Sequence, residues 1–183
     1  MRELESAMEI FVKLKNSRDE IGINSYSINV GLAFLNSCIG AKKEAEELAE
    51  KLYVDRENSQ LVGTGYKLVF LAATYQNLPE TEKALSLYRQ AIAIADQNQY
   101  SSIKAKALSG IAALYREPGE FDQALQHHPE AIEILDRASA KLDRAEACYQ
   151  LALTEQKIGN IEKTKKILTA PFNCSAKWTL ANK

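Results

Sequence analysis

The sequence predicts an all-α fold, a right-handed solenoid of antiparallel helix pairs. Three observations lead to this prediction: a motif that occurs twice at a fixed offset, an apolar spacing that places its residues on helix faces, and a series of small residues that recurs along the chain. Self-similarity at a period of roughly 20–50 residues indicates a repeat array, and it takes precedence over a fold guess made element by element.

The repeated motif spans two predicted helices. Its first copy consists of Leu68, Leu71, Ala72, Tyr75, Ala84, Tyr88 and Ala91, and its second copy, at one constant offset, consists of Leu108, Ile111, Ala112, Tyr115, Ala124, His128 and Ala131. The first four residues of each copy fall at i, i+3, i+4 and i+7, which is one face of a helix. The small side chains of Ala72 and Ala84 allow two helix backbones to approach closely. A single pair cannot bury both its faces, so neighbouring pairs must stack.

The motif resembles the tetratricopeptide repeat, with Leu-x2-Leu-Ala-x2-Tyr on one helix and Ala-x3-Tyr-x2-Ala on the next. Its step is longer than the family's common period and is similar to that of arrays with extended second helices, such as those in kinesin light chains. A HEAT-like array is the alternative, because its period also covers a step of this length. The alanine and tyrosine positions favour the tetratricopeptide family, and this resemblance implies a binding scaffold.

Small residues at matched positions divide the chain into repeats. Ala7, Ala45, Ala84, Ala124 and Thr164 follow one another at nearly equal steps. We expect an orphan second helix of a truncated repeat at 1–16, a degenerate repeat at 25–56, repeats at 59–97, 99–138 and 140–169, and a C-terminal tail or cap at 170–183, all in one solenoid domain. The missing first half of the truncated repeat implies either a cut within a longer array or a gene that begins at this point.

Two segments depart from the regular pattern. Pro129 lies about two turns into a helix whose apolar pattern continues beyond it. A proline there removes the hydrogen bond to the Leu125 carbonyl and costs ~3 kcal/mol, so we expect a kink or a break. The tail 170–183 includes Trp178 and Leu180, and it either folds back over the last repeat as a partial cap or is disordered.

Composition and charge argue against a nucleic-acid binder, a membrane-spanning protein and a secreted protein. The 183 residues carry 23 Lys and Arg against 24 Asp and Glu, for a formal charge of −1, so the basic excess of a nucleic-acid binder is missing. The longest apolar run, Leu68–Ala73, is far too short to cross a membrane. The N-terminus has acidic residues where a signal peptide needs an apolar core. Three cysteines without metal-ligand spacing indicate free thiols in a reducing cytoplasm.

Catalytic and metal chemistry is not predicted, and no cofactor is expected. His127 and His128 are adjacent, so on a helix they point about 100° apart and cannot share one ion, whereas zinc helices space histidines at i, i+4. His128 also occupies the aromatic position of the repeat, which favours a packing role. The sequence contains no phosphate-binding glycine motif, no nucleophile elbow and no HExxH. We therefore predict that the protein is not an enzyme.

The first helix of each repeat is predicted to line a concave groove. The positions left over after the repeat-core positions are assigned are Val30, Phe34, Tyr66, Val69, Phe70, Ala73, Lys106, Ser109, Ala113, Arg116, Tyr149, Gln150 and Leu153. Aromatic residues on a non-core face often mark a partner site, although Val69 and Phe70 could instead pack against the preceding repeat. Some relatives clamp a peptide carboxylate with Lys and Asn at groove positions. Lys106 and Arg116 would supply the cations here, but the matching asparagines are missing.

Two function classes follow from this groove. The first is a protein-interaction scaffold that binds a peptide or a partner helix, within a larger protein or complex. The second is a ligand- or peptide-sensing regulatory domain of a larger signalling or transcription regulator.

The orphan helix at 1–16 also predicts self-association. Leu4, Met8, Phe11 and Val12 give it more apolar surface than one helix contact needs. Because paired identical patches are the commonest way to bury such a surface, we expect a homodimer through this helix.

Overall fold

The computed structural model describes residues 2–17, 25–55 and 64–169, and the predicted tail at 170–183 lies outside them. Nine helices and no strand occur in these ranges. They are α1 (Arg2–Asn16), α2 (Ser25–Ile39), α3 (Lys42–Asp55), α4 (Thr64–Asn77), α5 (Thr81–Asn98), α6 (Ser101–Arg116), α7 (Phe121–Arg137), α8 (Lys141–Ile158) and α9 (Ile161–Thr169). The prediction of an all-α array of helix pairs is confirmed.

The chain divides into two compact units, residues 1–90 and 91–183, and α5 spans the boundary between them. In the first unit α1 packs on α2, and α2, α3 and α4 pack on one another. The alanines at the repeat positions, Ala45 and Ala72, have no exposed surface, because the helix backbones approach closely where only a methyl group separates them. Tyr75 is also fully buried, and its ring meets that of Tyr53 edge to face at 5.8 Å.

In the second unit α6 packs on α7 and α8, α7 packs on α8, and α8 packs on α9. One cluster of buried residues joins the first three of these helices: Ala105, Leu108, Ala131, Leu135 and Ala147. A second, made of Leu151, Ala152 and Ile167, holds the short α9 against α8. Buried alanines again lie between the packed helices, as they do in the first unit.

The helix α7 continues through Pro129 without a break, so of the predicted kink or break, the break does not occur. Proline removes one backbone hydrogen bond, but Ala124, His128, Ala131 and Leu135 on either side of it are all buried. Burial of that face on both sides of Pro129 outweighs the local preference, because most helix stability in proteins comes from packing rather than from propensity.

The turns that follow α5, α6, α7 and α8 share one geometry. A residue with positive φ follows the helix end, as in Gly119 (φ 91°), Gly159 (φ 95°), Gln99 (φ 58°) and Ser139 (φ 53°). The next backbone N–H then donates to a carbonyl in the last turn of the helix, as from Asn160 to Glu155 at 2.9 Å. This is the hydrogen-bond pattern of a Schellman motif, in which the left-handed residue terminates the helix.

Gly159→Ala is expected to lower the free energy of unfolding by about 1 kcal/mol, because a side chain strains the left-handed conformation. No described heavy atom lies within 4 Å of the added Cβ, so backbone strain alone sets the cost. Ser139→Gly at the corresponding turn relieves the same strain and is expected to raise the free energy of unfolding by a few tenths of a kcal/mol. Urea denaturation measures both, and a shift of the same sign in the two variants would contradict the argument.

Candidate functional site

An apolar cavity of about 490 Å³ lies in the first unit, between α1, α2 and α4. We call it the aromatic cavity. Its lining residues are Phe11, Ser27, Val30, Gly31, Phe34, Leu35, Tyr66, Lys67 and Phe70. Four predicted groove residues, Val30, Phe34, Tyr66 and Phe70, therefore meet in one place. They belong to α2 and α4, the two first helices of consecutive predicted repeats.

The aromatic wall of the cavity is open to solvent. Phe34 and Phe70 form an edge-to-face pair with ring centroids 5.4 Å apart. Phe70 nevertheless remains 44% exposed and Tyr66 40% exposed, and the two lie one helical turn apart on α4. Exposed aromatic surface gathered in a depression is typical of binding sites, because its burial by a partner is favourable.

A close contact between α1 and α2 forms the opposite wall. The ring of Phe11 lies directly over Gly31, so that a Cβ added at Gly31 would stand 2.0 Å from Phe11 Cε1. Gly31 is an interior helix residue, where glycine costs about 1 kcal/mol relative to alanine. The missing side chain makes room for the Phe11 ring, and the ring in turn closes this side of the cavity.

A single cationic side chain stands among the lining residues. Lys67 Nζ lies 5.2 Å from the centroid of the Tyr26 ring, a cation–π distance. The Tyr26 hydroxyl donates to the Leu52 carbonyl at 3.2 Å, which fixes the ring from the other side. Among the described residues Lys67 has no carboxylate partner. The cavity is thus apolar in its walls and positive at one edge.

Two of the predicted groove residues are core residues instead. Val30 is 2% exposed and Val69 is 8% exposed, which for Val69 agrees with the alternative, packing within the array, that the sequence left open. Val30 still forms part of the cavity wall, whereas Val69 does not line it. Each faces a neighbouring helix because α2 and α4 pack against each other and against α3, which leaves only a narrow stripe of each helix uncovered.

The second unit pairs its predicted groove cations internally. Lys106 Nζ lies 2.8 Å from Asp143 Oδ1, and the hydrogen bond from Lys106 lowers the pKa of the Asp143 carboxyl. Arg116 is 8% exposed and donates to the carbonyl oxygen and Oε1 of Gln150, at 3.3 and 3.0 Å. Each of these two cations already has a partner on α8, which agrees with the absence of the asparagines that a carboxylate clamp would need.

Ser109 is half-buried on α6, and Tyr149 is 48% exposed on α8. Both belong to the second unit, so neither joins the aromatic cavity of the first.

The predicted self-association residues do not form one open patch. Leu4 and Met8 are half-buried, and Phe11 points inward onto Gly31. Val12 is 43% exposed and Ile10 is 54% exposed. Phe11 is half-buried, and its ring already takes part in the contact between α1 and α2, so its role in self-association stays a prediction.

The histidine pair has two separate packing roles. The ring of His127 stacks on Tyr115 with centroids 5.9 Å apart. His128 is completely buried, and its Nε2 lies 2.9 Å from Thr154 Oγ1. Burial, with smaller contributions from Arg116 and His127, lowers the pKa of His128 to about 4. Within residues 2–17, 25–55 and 64–169, no cluster of side chains suits a metal ion.

Sequence patterns missed two features of the cavity. Lys67 follows Tyr66, and a lysine beside an exposed aromatic residue could have indicated a charged rim. Gly31 interrupts a helical pattern, and such a glycine often has a packing reason. Neither signal identifies its partner, because Phe11 lies far from Gly31 in the sequence, and Tyr26 lies far from Lys67.

In the described part of the chain, no helix has the length and apolarity needed to span a bilayer.

Comparison with known proteins supports the repeat interpretation. The family model of the tetratricopeptide repeat matches residues 64–137. No curated protein matches the sequence. Among solved structures, a kinesin-light-chain candidate from Podosopora anserina with nearly identical TPR-like repeats is 19% identical, with a TM-score of 0.61 over 90% of this chain and 83% of that chain. A variant of that protein is 18% identical, with a TM-score of 0.63 and the same coverage of both chains.

Another solved structure has a similar fold. BtubC (BKLC) from P. vanneervenii is 17% identical, with a TM-score of 0.62 over 91% of this chain and 68% of that chain. Identities this low establish the fold rather than a shared function. Residues 64–137 are therefore tetratricopeptide repeats, and the chain has the fold of kinesin-light-chain-like tetratricopeptide-repeat arrays.

Proposed function

We propose that this chain is a protein-interaction scaffold that binds a segment of a partner protein in the aromatic cavity. Tetratricopeptide repeats generally mediate protein–protein interactions and are generally not enzymes. The observation that carries the proposal is the exposure of Tyr66 and Phe70 in a cavity that the fold itself builds. Large aromatic side chains in such positions supply most of the binding energy of protein interfaces.

Selection of peptides from a random displayed library on the purified chain tests the proposal. Affinities of the selected peptides are then compared for wild type and Phe70→Ala by fluorescence anisotropy. Loss of an interface hot spot costs at least about 2 kcal/mol, so binding to Phe70→Ala is expected to weaken roughly 30-fold or more. The proposal fails if no peptide is enriched, or if the enriched peptides bind both proteins equally.

Tyr100→Ala is the matched control. Tyr100 is 41% exposed, close to the value for Phe70, but it lies outside the cavity in the second unit. Its removal is expected to leave affinity unchanged. Tyr149→Ala serves a different purpose, because it reports whether the predicted groove surface of the second unit, which includes Ser109 and Gln150, also contacts the peptide.

A second candidate function is a sensing domain that takes a small ligand in the same cavity. The cavity volume of about 490 Å³ favours this candidate, since it falls within the range of small-molecule sites. Thermal denaturation with a set of small apolar compounds separates the two functions. A compound that stabilises wild type but not Phe70→Ala, in a protein that enriches no peptide, would support sensing instead of scaffolding.

We also propose that two copies of the chain associate through α1. The interface differs from the one predicted from the sequence, because it does not depend on Phe11. Val12 is its most exposed predicted residue, and the first turn of α1 carries Glu3 and Glu5 where the last carries Lys13 and Lys15. Two antiparallel copies of α1 would place acidic ends beside basic ends, which is the self-complementarity that a two-fold dimer needs.

We expect a dimer in size exclusion with light scattering, and we expect Val12→Glu to convert it to a monomer. Phe11→Glu is a poor test, because it would disturb the contact with Gly31 in the single chain. A wild-type monomer at high micromolar concentration would end this part of the proposal.

A further inference from the structure

The walls of the aromatic cavity offer few polar groups. Of the nine described residues that line it, Ser27, Tyr66 and Lys67 carry a side-chain donor or acceptor. Most of the backbone of these segments is engaged in the hydrogen bonds of α1, α2 and α4, although Ser27 and Tyr66 lie in first helical turns, where N–H groups have no intrahelical acceptor. A partner segment that enters the cavity therefore finds few groups with which to pair its own peptide groups.

The scarcity of polar groups in the cavity walls distinguishes between two conformations of the occupant. An extended peptide gains much of its affinity from backbone hydrogen bonds to its receptor, and each buried peptide group that lacks a partner costs roughly 1–3 kcal/mol. A helix satisfies its backbone internally and needs only apolar contacts from the receptor. Apolar walls thus favour a helical occupant.

The spacing of the wall residues fits the same occupant. Val30 and Phe34 are one helical turn apart on α2, and Tyr66 and Phe70 are one turn apart on α4. Tyr66 and Phe70 keep exposed surface, Phe34 is half-buried and Val30 is buried, so the surface that can receive side chains one turn apart on a third helix lies mainly on α4.

The positive charge of Lys67 at the cavity edge indicates which charged side chain the occupant can place there. Lys67 immediately follows Tyr66, one turn before Phe70, and its ammonium group lies over the Tyr26 ring at the start of α2. A carboxylate on the occupant can reach this group from the solvent side. The positive edge would repel a lysine or arginine placed there.

We propose that the occupant is an amphipathic helix of a partner protein, with two large apolar side chains one turn apart and a carboxylate one turn further along, facing Lys67. This inference rests on the proposed scaffold function. It adds the conformation of the partner segment, the spacing of its anchors and the sign of its flanking charge.

Two peptides of identical composition test the conformation. Both have an alanine- and glutamine-rich background, and the first carries Glu, Leu and Leu at successive i, i+4 and i+8 positions. The second carries the same residues at i, i+2 and i+4, which places them on one side of an extended chain but sets the two leucines about 160° apart on a helix. We expect the first to bind wild type at least tenfold more tightly by fluorescence anisotropy, with a rise in helical circular dichroism on binding. Equal affinities, or tighter binding of the second peptide, would overturn the inference.

A charge exchange tests the role of Lys67. Lys67→Glu is expected to weaken the Glu-bearing helical peptide about tenfold and to strengthen a peptide in which Lys replaces that Glu. Tyr100→Ala again serves as a control that leaves both affinities unchanged. If the exchange of charges has no effect on either peptide, Lys67 does not face the occupant and the stated charge is wrong.

The outcomes separate this inference from the function beneath it. If library-selected peptides lose affinity for Phe70→Ala while the designed helix does not bind, the scaffold function stands and the helical occupant is wrong. If no peptide from either experiment depends on Phe70, both are wrong.

Discussion

Leu71→Ala is expected to lower the free energy of unfolding by about 2–5 kcal/mol, whereas Phe70→Ala, one residue earlier, is expected to lower it by about 1 kcal/mol. Leu71 is fully buried on α4, so its truncation leaves a cavity that the packed helices cannot close. Phe70 is 44% exposed and loses little beyond its edge-to-face contact with Phe34.

Urea denaturation of both variants measures this contrast, and the pair controls for the position on α4. A cost for Phe70→Ala as large as that for Leu71→Ala would place Phe70 in the core. The aromatic wall would then hold the fold together instead of receiving a partner, and the proposed site would lose its main anchor.

Acidification from pH 6.5 to pH 4 is expected to cost about 3 kcal/mol of stability through His128 alone. The pKa of this group falls from its ordinary 6.5 to about 4 in the folded chain, chiefly because the ring is buried and also because Arg116 and His127 lie nearby. Between these two pKa values, the unfolded chain therefore binds a proton at His128 that the folded chain does not bind. The contribution of His128 to the free energy of unfolding is complete above pH 6.5 and is lost progressively as the pH falls towards 4.

His128→Gln is the control, because glutamine does not titrate and can still reach Thr154. Denaturation across this pH range should show a steeper loss for wild type than for the variant, which cancels the contribution of the carboxylates common to both. Equal slopes would mean that the imidazole can accept a proton within the fold.

The helices were predictable because the pattern that forms them is local. Leu68, Leu71, Ala72 and Tyr75 mark one helix face at spacings that no strand reproduces, and all four are buried in the structure. Pro129 shows the limit of local rules. Its cost falls on one hydrogen bond, while the packing that keeps α7 continuous comes from helices distant in the sequence.

The site was only partly predictable for the same reason. Tyr66 and Phe70 could be assigned to a non-core face from spacing alone. The pairing of Lys106 with Asp143 and of Arg116 with Gln150 depends on which residues the next repeat presents across the gap. A repeat motif fixes the small and large core positions but leaves such surface partners unspecified.

The uniform turns have a consequence for how the number of helix pairs can change during evolution. Gln99, Gly119, Ser139 and Gly159 end their helices at equal intervals along the chain, each with the same left-handed step. Recombination that copied or removed the segment 100–139 would place a helix start directly after a left-handed residue. The existing junctions between helices already have this arrangement. Gene duplication and deletion can therefore change the number of helix pairs without new loop chemistry, whereas a single inserted residue within a helix would rotate everything after it by about 100°.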